Sequence, residues 1–383
     1  MPKPSLLIFG ESYHNSNLFY KTRFLTSHPL VYLEHAGESI LVTSTADLDQ
    51  AEKESRVSKI YSYSYFHYVK HIKKLGHKDL AFLFMLKEIL NHYKITQFTV
   101  PKDFPVFFAN GLIKSGFQIH IDCDFLVKER SIKSPEEIQM IQETQYALEK
   151  GMAKAERIIR EAHIGKDGLL YHNDNGLTTK DLKKAIELTL LKEGCHLFDI
   201  IVACGKNGSD PHYFGESALW ANKPIMIDIF PFHSKHRYFA DTTRSFIKKG
   251  RDDKAYRMHE SVLKAQKRVI SEIKAGVTGS QLYQTACDSF NSDGFLTLRE
   301  QKPTEPMLEK GFIHSLGHGL GLDVHEPPFL FSQPIELKAG NIITIEPGLY
   351  DPEGGGVRIE DLVLVTEDSC KLITQYHKEF NIN

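Results

Sequence analysis

The chain has 383 residues, of which 41% are hydrophobic and 25% charged, a composition typical of a globular protein long enough for two domains. Its 47 basic and 49 acidic residues leave a formal net charge of -2 and form no basic block, which argues against nucleic acid or an anionic membrane as a partner. The five cysteines are scattered without a CxxC pair, which argues against a disulfide framework or a thiolate zinc site and favours the reducing cytoplasm.

The N-terminal third reads as a small α/β unit. It opens with an apolar run of five residues, too short for the core of a signal peptide, and no later run reaches membrane length. We therefore expect a cytoplasmic protein without a membrane segment. The stretch HPLVYLEHAGESILVTS predicts two strands around an Ala-Gly-Glu turn, and DLAFLFMLKEILNHYK predicts a helix followed by the strand ITQFTV. No catalytic cluster is evident in this third.

A domain boundary is predicted near residue 132. Ser134 has the character of a helix N-cap, Pro135 suits the first helical position, and two glutamates follow in the first turn. A long helix to about Ala162 should result. The sequence thus predicts an N-terminal domain at 1–132 and a second domain at 133–383.

The second domain combines helices with strands that carry acids. TTKDLKKAIELTLLKEG and DDKAYRMHESVLKAQKRVISEIKAG have the pattern of amphipathic helices. DIIVAC, IMIDIFP, YFADTTRSF, NIITIEPGLY and RIEDLVLVT have the pattern of strands. Between two helices, GKDGLLYHNDNG reads as a polar loop. These patterns favour an α+β class.

Acids and histidines collect on stretches that otherwise look buried. They are Asp228, Asp241, His314, His318, His325, Glu346 and Glu360. An unpaired carboxylate in such a place would be costly, so a compensating positive charge is expected. Four carboxylates and a neutral imidazole would balance two divalent ions at close range.

Each acid also has an ordinary explanation when taken alone. Asp228 could be a salt-bridge partner or an edge residue, and Asp241 could pair with Arg244 three positions on. Glu360 could pair with Arg358, because residues two apart in a strand share a face. Together these explanations are less economical than one metal site.

The ordered motifs D…DTTRSF, HSLGHGLGLDVHEPP, TIEPGLY and GVRIED resemble the metallopeptidase family of methionine aminopeptidase, aminopeptidase P and prolidase, whose catalytic domain has the pita-bread fold. NLFYKTRFLTSHPLVYLEHAGESILVTSTADLDQAE is similar to the creatinase-like N-terminal domain of prolidases and aminopeptidases P, which short methionine aminopeptidases lack. The resemblance therefore favours the Xaa-Pro branch. It implies a smaller creatinase-like α/β domain that is followed along the chain by a pita-bread domain.

The resemblance implies a role for each residue of the set. The metal ligands would be Asp228, Asp241, His318, Glu346 and Glu360. Asp241 and Glu360 would bridge both ions, and Glu346 would also shuttle a proton.

Three histidines and an arginine complete the implied site. His212, in ACGKNGSDPHY, and His325 would donate hydrogen bonds to the substrate carbonyl or the oxyanion. His314 would either support a ligand or face the substrate. Arg358 would orient Glu360 or another carboxylate.

The implied activity is hydrolysis of N-terminal Xaa-Pro peptide bonds by a hydroxide that bridges two divalent ions. Manganese is the first choice of metal, with cobalt, zinc or iron as alternatives. Proline-containing peptides are the expected substrates and a homodimer the expected assembly. A creatinase-like hydrolase or an inactive pita-bread binding module remains open, although both would normally have lost ligands.

Three features depart from the family pattern. Twelve residues rather than ten separate Asp228 from Asp241, and the segment 165–176 looks like an insertion. Phe329 stands four residues after His325, where compact prolidases often have an arginine that is thought to hold the substrate carboxylate. A phenylalanine cannot make that charge-assisted pair, which favours an aminopeptidase P-like preference for peptides longer than two residues, with prolidase-like dipeptidase activity as the alternative.

Overall fold

A computed structural model of the chain describes residues 4–250, 252–301 and 308–383. The chain divides into two compact units, Met1–Arg130 and Ser131–Asn383, and an apolar core lies in each. The assignment of a creatinase-like domain to residues 1–132 and a catalytic domain to 133–383 stays a prediction. No helix in the described ranges has both the length and the apolar character that crossing a membrane requires.

The first unit contains one mixed six-stranded sheet with strand order β4-β3-β2-β1-β5-β6. Its strands are β1 (Leu6–Glu11), β2 (Pro29–His35), β3 (Glu38–Thr43), β4 (Lys59–Ser62), β5 (Gln97–Pro101) and β6 (Gln118–Asp122). Its helices are α1 (Ser16–Thr22), α2 (Leu48–Glu54), α3 (Tyr68–Leu75), α4 (Lys78–His92), α5 (Val106–Ile113) and α6 (Val127–Ser131). The predicted hairpin is confirmed as β2–β3, and Ala36 and Gly37 supply the two positive φ values, 50° and 85°, that its tight turn requires.

The second unit contains four long helices and fifteen strands in its described part. The helices are α7 (Pro135–Glu161), α8 (Thr179–Lys192), α9 (Asp253–Glu272) and α10 (Gly279–Ser292). The strands are β7 (His163–Ile164), β8 (Leu170–His172), β9 (Asn175–Gly176), β10 (Cys195–His196), β11 (Ile200–Cys204), β12 (Pro224–Ile229), β13 (Phe232–His233), β14 (Thr242–Ile247), β15 (Gly317–Gly319), β16 (Glu326–Leu330), β17 (Ile342–Ile345), β18 (Gly348–Asp351), β19 (Gly355–Arg358), β20 (Asp361–Val365) and β21 (Cys370–Leu372).

The helix α7 begins as the sequence predicts. The side chain of Ser134 accepts from the backbone N–H of Glu137, and the Glu137 carboxylate accepts from the N–H of Ser134. This reciprocal capping box satisfies two amide groups that the first turn would otherwise leave open. The helix ends at Glu161, one residue before the predicted end.

Two sheets carry the acidic residues of the second unit. One has the order β11-β12-β14 and the other has the order β16-β15-β17-β20-β21. The helices α9 and α10 pack on an apolar core that the strands share, and α9 contributes Met258, Val262, Ala265 and Val269 at the spacing of one helical face. Burial of this face fixes the sheets on a common support.

Two local expectations differ from the structure. The sequence predicts a polar loop at 165–176, but this segment lies mostly within a small antiparallel meander of β7, β8 and β9. Asn173 and Asp174 both adopt positive φ and form the tight turn between β8 and β9. The sequence predicts Glu360 inside a strand, but it lies in the break between β19 and β20, where its backbone N–H donates to the carbonyl of Thr243 on β14 at 3.0 Å.

Candidate metal centre

Two of the acids lie on neighbouring strands of the three-stranded sheet. Asp228 is in β12, and Asp241 immediately precedes β14. The strands are antiparallel, with Asp228 opposite Thr243, so the two acids lie close together at one end of the pair. Both are buried.

Two more acids meet on the five-stranded sheet. In the antiparallel pair β17–β20, Ile345 lies opposite Asp361. Glu346 follows the first of these residues and Glu360 precedes the second, so the register brings the two glutamates to the same end of the pair. His318 comes from β15, the other neighbour of β17.

Three of the five predicted ligands form a compact buried group, and the other two lie beside it. His318 Nε2 lies 3.4 Å from Glu346 Oε1 and 3.8 Å from Asp241 Oδ2. One donor atom each from Asp241, His318 and Glu360 lies within 4.8 Å of the other two. Asp228 is close enough for its charge to affect the pKa values of Asp241, Glu346 and Glu360.

The crowded carboxyl groups oppose one another's ionisation. Burial, and then the charges of Glu360 and Asp228, raise the pKa of Asp241 well above its usual range. Burial, and then the charges of Glu346 and Asp228, do the same to the pKa of Glu360. Burial raises the pKa of Glu346 to about 7, although the positive charge of Arg358 opposes it. Four acids in this arrangement call for positive charge beyond that arginine.

The donor atoms themselves fit divalent metal ions. Oδ1 of Asp228 and Oδ1 of Asp241 are buried and make no hydrogen bond within the described part of the chain. His318 Nδ1 donates to the carbonyl of Gly319 at 3.0 Å, which leaves Nε2 as a lone-pair donor directed at the acids. Burial lowers the pKa of His318 to about 3, so its imidazole is neutral, as a ligand must be.

A buried hydrogen-bond chain supports the acids from one side. Arg358 Nη2 donates to Asp228 Oδ2 at 2.5 Å, and Arg358 Nη1 donates to the hydroxyl of Tyr350 at 2.8 Å. His314 Nδ1 faces the carbonyl of Ser315 at 2.7 Å and must donate to it, so its Nε2 accepts from Tyr350 at 2.9 Å. Arg358 thus contacts Asp228 with its charged end, and both ring nitrogens of His314 are occupied.

The two other predicted histidines lie at the edge of the cluster. The ring of His325 packs edge-on against His318, with the ring centroids 4.3 Å apart. His212 is exposed. Burial and then the charge of Arg358 lower the pKa of His314, burial lowers that of His325, and His212 adds a smaller lowering effect to both. His212 is therefore adjacent to the site without belonging to the compact donor group.

Tyr350 and Thr243 are two members of the site that the sequence motifs did not single out. Thr243 Oγ1 donates to Glu360 Oε2 at 2.8 Å and accepts from Arg358 Nε at 3.1 Å. Tyr350 links Arg358 to His314. The only local signal for either is its place inside a motif, DTTRSF or TIEPGLY, because each contact reaches across strands that are remote in sequence.

Comparisons with known proteins identify the family of the chain. Residues 139–367 match the profile of metallopeptidase family M24. The chain is 32% identical over 272 residues to an Xaa-Pro dipeptidase of Pyrococcus furiosus, with 70% of each chain covered.

Solved structures cover nearly the whole chain. An X-Pro aminopeptidase from Thermotoga maritima superposes with a TM-score of 0.80 at 24% identity, covering 99% of this chain and 97% of that one. An Xaa-Pro dipeptidase from Bacillus anthracis gives a TM-score of 0.81 at 24% identity, covering 99% and 95%. This likeness confirms the predicted α+β class and pita-bread fold. From the profile match and the dipeptidase relative, the chain belongs to metallopeptidase family M24.

Proposed function

We propose that this enzyme hydrolyses the bond between an N-terminal residue and a following proline, using two divalent ions held by Asp228, Asp241, His318, Glu346 and Glu360. The observation that carries the proposal is the compact buried group of Asp241, His318 and Glu360, in which the imidazole is neutral. Oδ1 of Asp241, like Oδ1 of the neighbouring Asp228, has no hydrogen-bond partner in the described part of the chain. The chemistry that two bound ions supply is the activation of a water molecule at neutral pH.

The exposure of each carboxylate side chain indicates its role in the reaction. The side chain of Glu346 is 15% exposed, compared with 6% for Asp241, so among these two the glutamate is the one a substrate can reach. We assign to it the transfer of a proton from the attacking water to the leaving amine. Asp241 and Glu360, which are more deeply buried, would be the carboxylates that hold both ions.

His212 and His325 are assigned to the substrate oxygen. Both are exposed and lie on the side of the cluster that solvent reaches. The segment that contains His325 is held in place, because the adjacent Glu326 accepts a buried hydrogen bond of 2.6 Å from Lys133. A donor held in this way can stabilise a developing oxyanion without reorganising during the reaction.

The side chain next to one of the proposed metal ligands favours substrates longer than a dipeptide. Phe329 pairs directly opposite His318 in the β15–β16 ladder, so its side chain shares a sheet face with that ligand, and it is 44% exposed. A free carboxylate placed against this ring would gain no ion pair and would lose hydration. This supports the aminopeptidase P-like preference, with dipeptidase activity as the alternative.

The test is kcat/KM for Xaa-Pro, Xaa-Pro-Xaa and Xaa-Ala-Xaa peptides on one manganese-loaded preparation, before and after chelation. We expect cleavage of the proline peptides that chelation abolishes and metal restores, with the tripeptide preferred. A tenfold preference for the dipeptide would overturn the length preference but keep the Xaa-Pro activity; about tenfold corresponds to 1.4 kcal/mol. Equal cleavage of the alanine peptide would overturn proline specificity.

Metal content separates this function from the two alternatives. About two ions per chain after reconstitution are expected. A chain that binds none would instead be a creatinase-like hydrolase or a binding module. Manganese as the native metal, a cytoplasmic location and a homodimer stay predictions.

A further inference from the structure

The two carboxylates proposed to bridge the ions belong to different sheets. Asp241 leads into β14 of the three-stranded sheet, and Glu360 leads into β20 of the five-stranded sheet. The separation of their carboxylates therefore depends on how firmly the two sheets are fastened where they meet. We call the junction of β14 with the Glu360–Asp361 segment the seam.

Arg244 lies across this seam and is 1% exposed. Its Nη1 donates to the carbonyl of Thr243 at 2.9 Å and to the carbonyl of Glu360 at 2.6 Å. Its Nη2 donates to Asp361 Oδ1 at 2.8 Å. One guanidinium thus contacts both strands, including the backbone of a proposed bridging residue.

The remaining donors of Arg244 hold the C-terminal segment, residues 374–382. Nη2 donates to the carbonyl of Tyr376 at 2.7 Å, and Nε donates to the carbonyl of His377 at 2.8 Å. Lys378 from the same segment pairs with Oδ2 of Asp361. All five N–H groups of the arginine are therefore used, as a buried guanidinium requires.

The C-terminal segment is itself anchored to elements outside the seam. The hydroxyl of Tyr376 and Nε2 of His377 both bind Glu156 of α7, the latter at 2.7 Å. Further along, Asn381 bridges in parallel to Ile247 at the end of β14. The segment therefore links the seam to α7 and to the end of β14.

From these contacts we infer that Arg244, with Asp361 and the C-terminal segment, is a positioning device that sets the distance between the Asp241 and Glu360 carboxylates. Arg244 is a positioning residue rather than a catalytic one, because it acts through the Glu360 backbone. Lysine cannot replace it fully, because an ammonium cannot reach both strands and the segment at once. The inference rests on the proposed metal site.

The experiment is manganese titration by calorimetry of chelated wild type, Arg244→Lys, Arg244→Met and Lys378→Met, with EPR spectra of the loaded proteins. Changes in residues that orient ligands typically weaken metal affinity by about 10- to 100-fold. We expect Arg244→Met at the upper end, Arg244→Lys at the lower end, and loss of the spin-coupled two-manganese signal in both. Lys378→Met should be weakened less.

Leu90→Ala is the matched control, because this buried residue of α4 belongs to the apolar core of the first unit, whereas the seam belongs to the second. It should lose thermal stability yet keep the wild-type affinity and EPR signal. Equal weakening in this control, or wild-type binding by Arg244→Lys and Lys378→Met, would overturn the inference. Should Arg244→Met not fold, those two variants decide. A wild type that binds no metal would refute the proposed function instead.

Discussion

Arg358 and Asp228 form a buried ion pair in which only one carboxylate oxygen is used. Nη2 of the arginine lies 2.5 Å from Oδ2 of the aspartate, while Oδ1 makes no hydrogen bond in the described part of the chain. The arginine therefore fixes the rotation of the carboxylate and leaves one oxygen for a metal ion. Its charge also balances part of the repulsion among the acids.

The first prediction concerns this pair. Arg358→Lys keeps the charge but cannot contact Asp228, Tyr350 and Thr243 together, so kcat/KM and metal affinity should fall by about 10- to 100-fold. Tyr350→Phe, which removes one hydroxyl from the hydrogen-bond chain, should lower kcat/KM and metal affinity less than the arginine substitution does. Isothermal titration and steady-state kinetics check both. If Arg358→Lys bound metal as tightly as wild type, the orienting role would be wrong.

The second prediction concerns charge at the centre. Glu360→Gln keeps the size of the side chain but removes one of four carboxylates, so the chain should hold fewer than two ions and lose activity by orders of magnitude. Elemental analysis after dialysis measures the metal content. Glu353→Gln, at an exposed glutamate beyond β18, is the control and should retain both ions. Full metal content in Glu360→Gln would contradict the bridging assignment.

The third prediction separates catalysis from metal binding. His212 lies beside the donor cluster but outside it, so His212→Ala should lower kcat by about 10²- to 10³-fold, the usual cost of one oxyanion donor. Metal content should remain near that of wild type. If metal and activity fell together, His212 would be a ligand.

The fourth prediction concerns stability in acid. Burial, and then the charge of Arg244, lower the pKa of His259 to about 4, and its ring stacks on Phe380 with the centroids 4.4 Å apart. Below pH 6.5 the unfolded chain takes up a proton here that the folded chain does not bind until about pH 4. The free energy of unfolding should therefore fall as the pH drops through this window, by up to about 3 kcal/mol from this group.

Denaturant titrations of chelated protein between pH 7 and pH 4 measure this effect. His259→Gln should show a shallower decline than wild type, because it removes the group that the unfolded state protonates. His120→Gln, at an exposed position on β6, is the control and should keep the wild-type slope. An unchanged slope in His259→Gln would refute the assignment.

Local signals in the sequence determined the elements whose causes are themselves local. The cap at Ser134 and the proline after it specify the start of α7, because the groups that satisfy the first turn lie within three residues. The β2–β3 hairpin follows from alternating apolar residues around Ala36 and Gly37. The motif order also predicted a ligand set, since each proposed metal-binding acid stands in a recognisable stretch.

Other features depended on contacts between residues far apart in the chain. The sequence offered Arg244 as a partner for Asp241 and Arg358 as a partner for Glu360, yet the structure pairs Arg244 with Asp361 and Arg358 with Asp228. Glu360 also lies outside the strand that the sequence predicts for it. The pairing of the buried charges depends on strand register and on how two sheets join, and the paired residues are more than a hundred positions apart. A buried cation pairs with the carboxylate that this packing brings within reach.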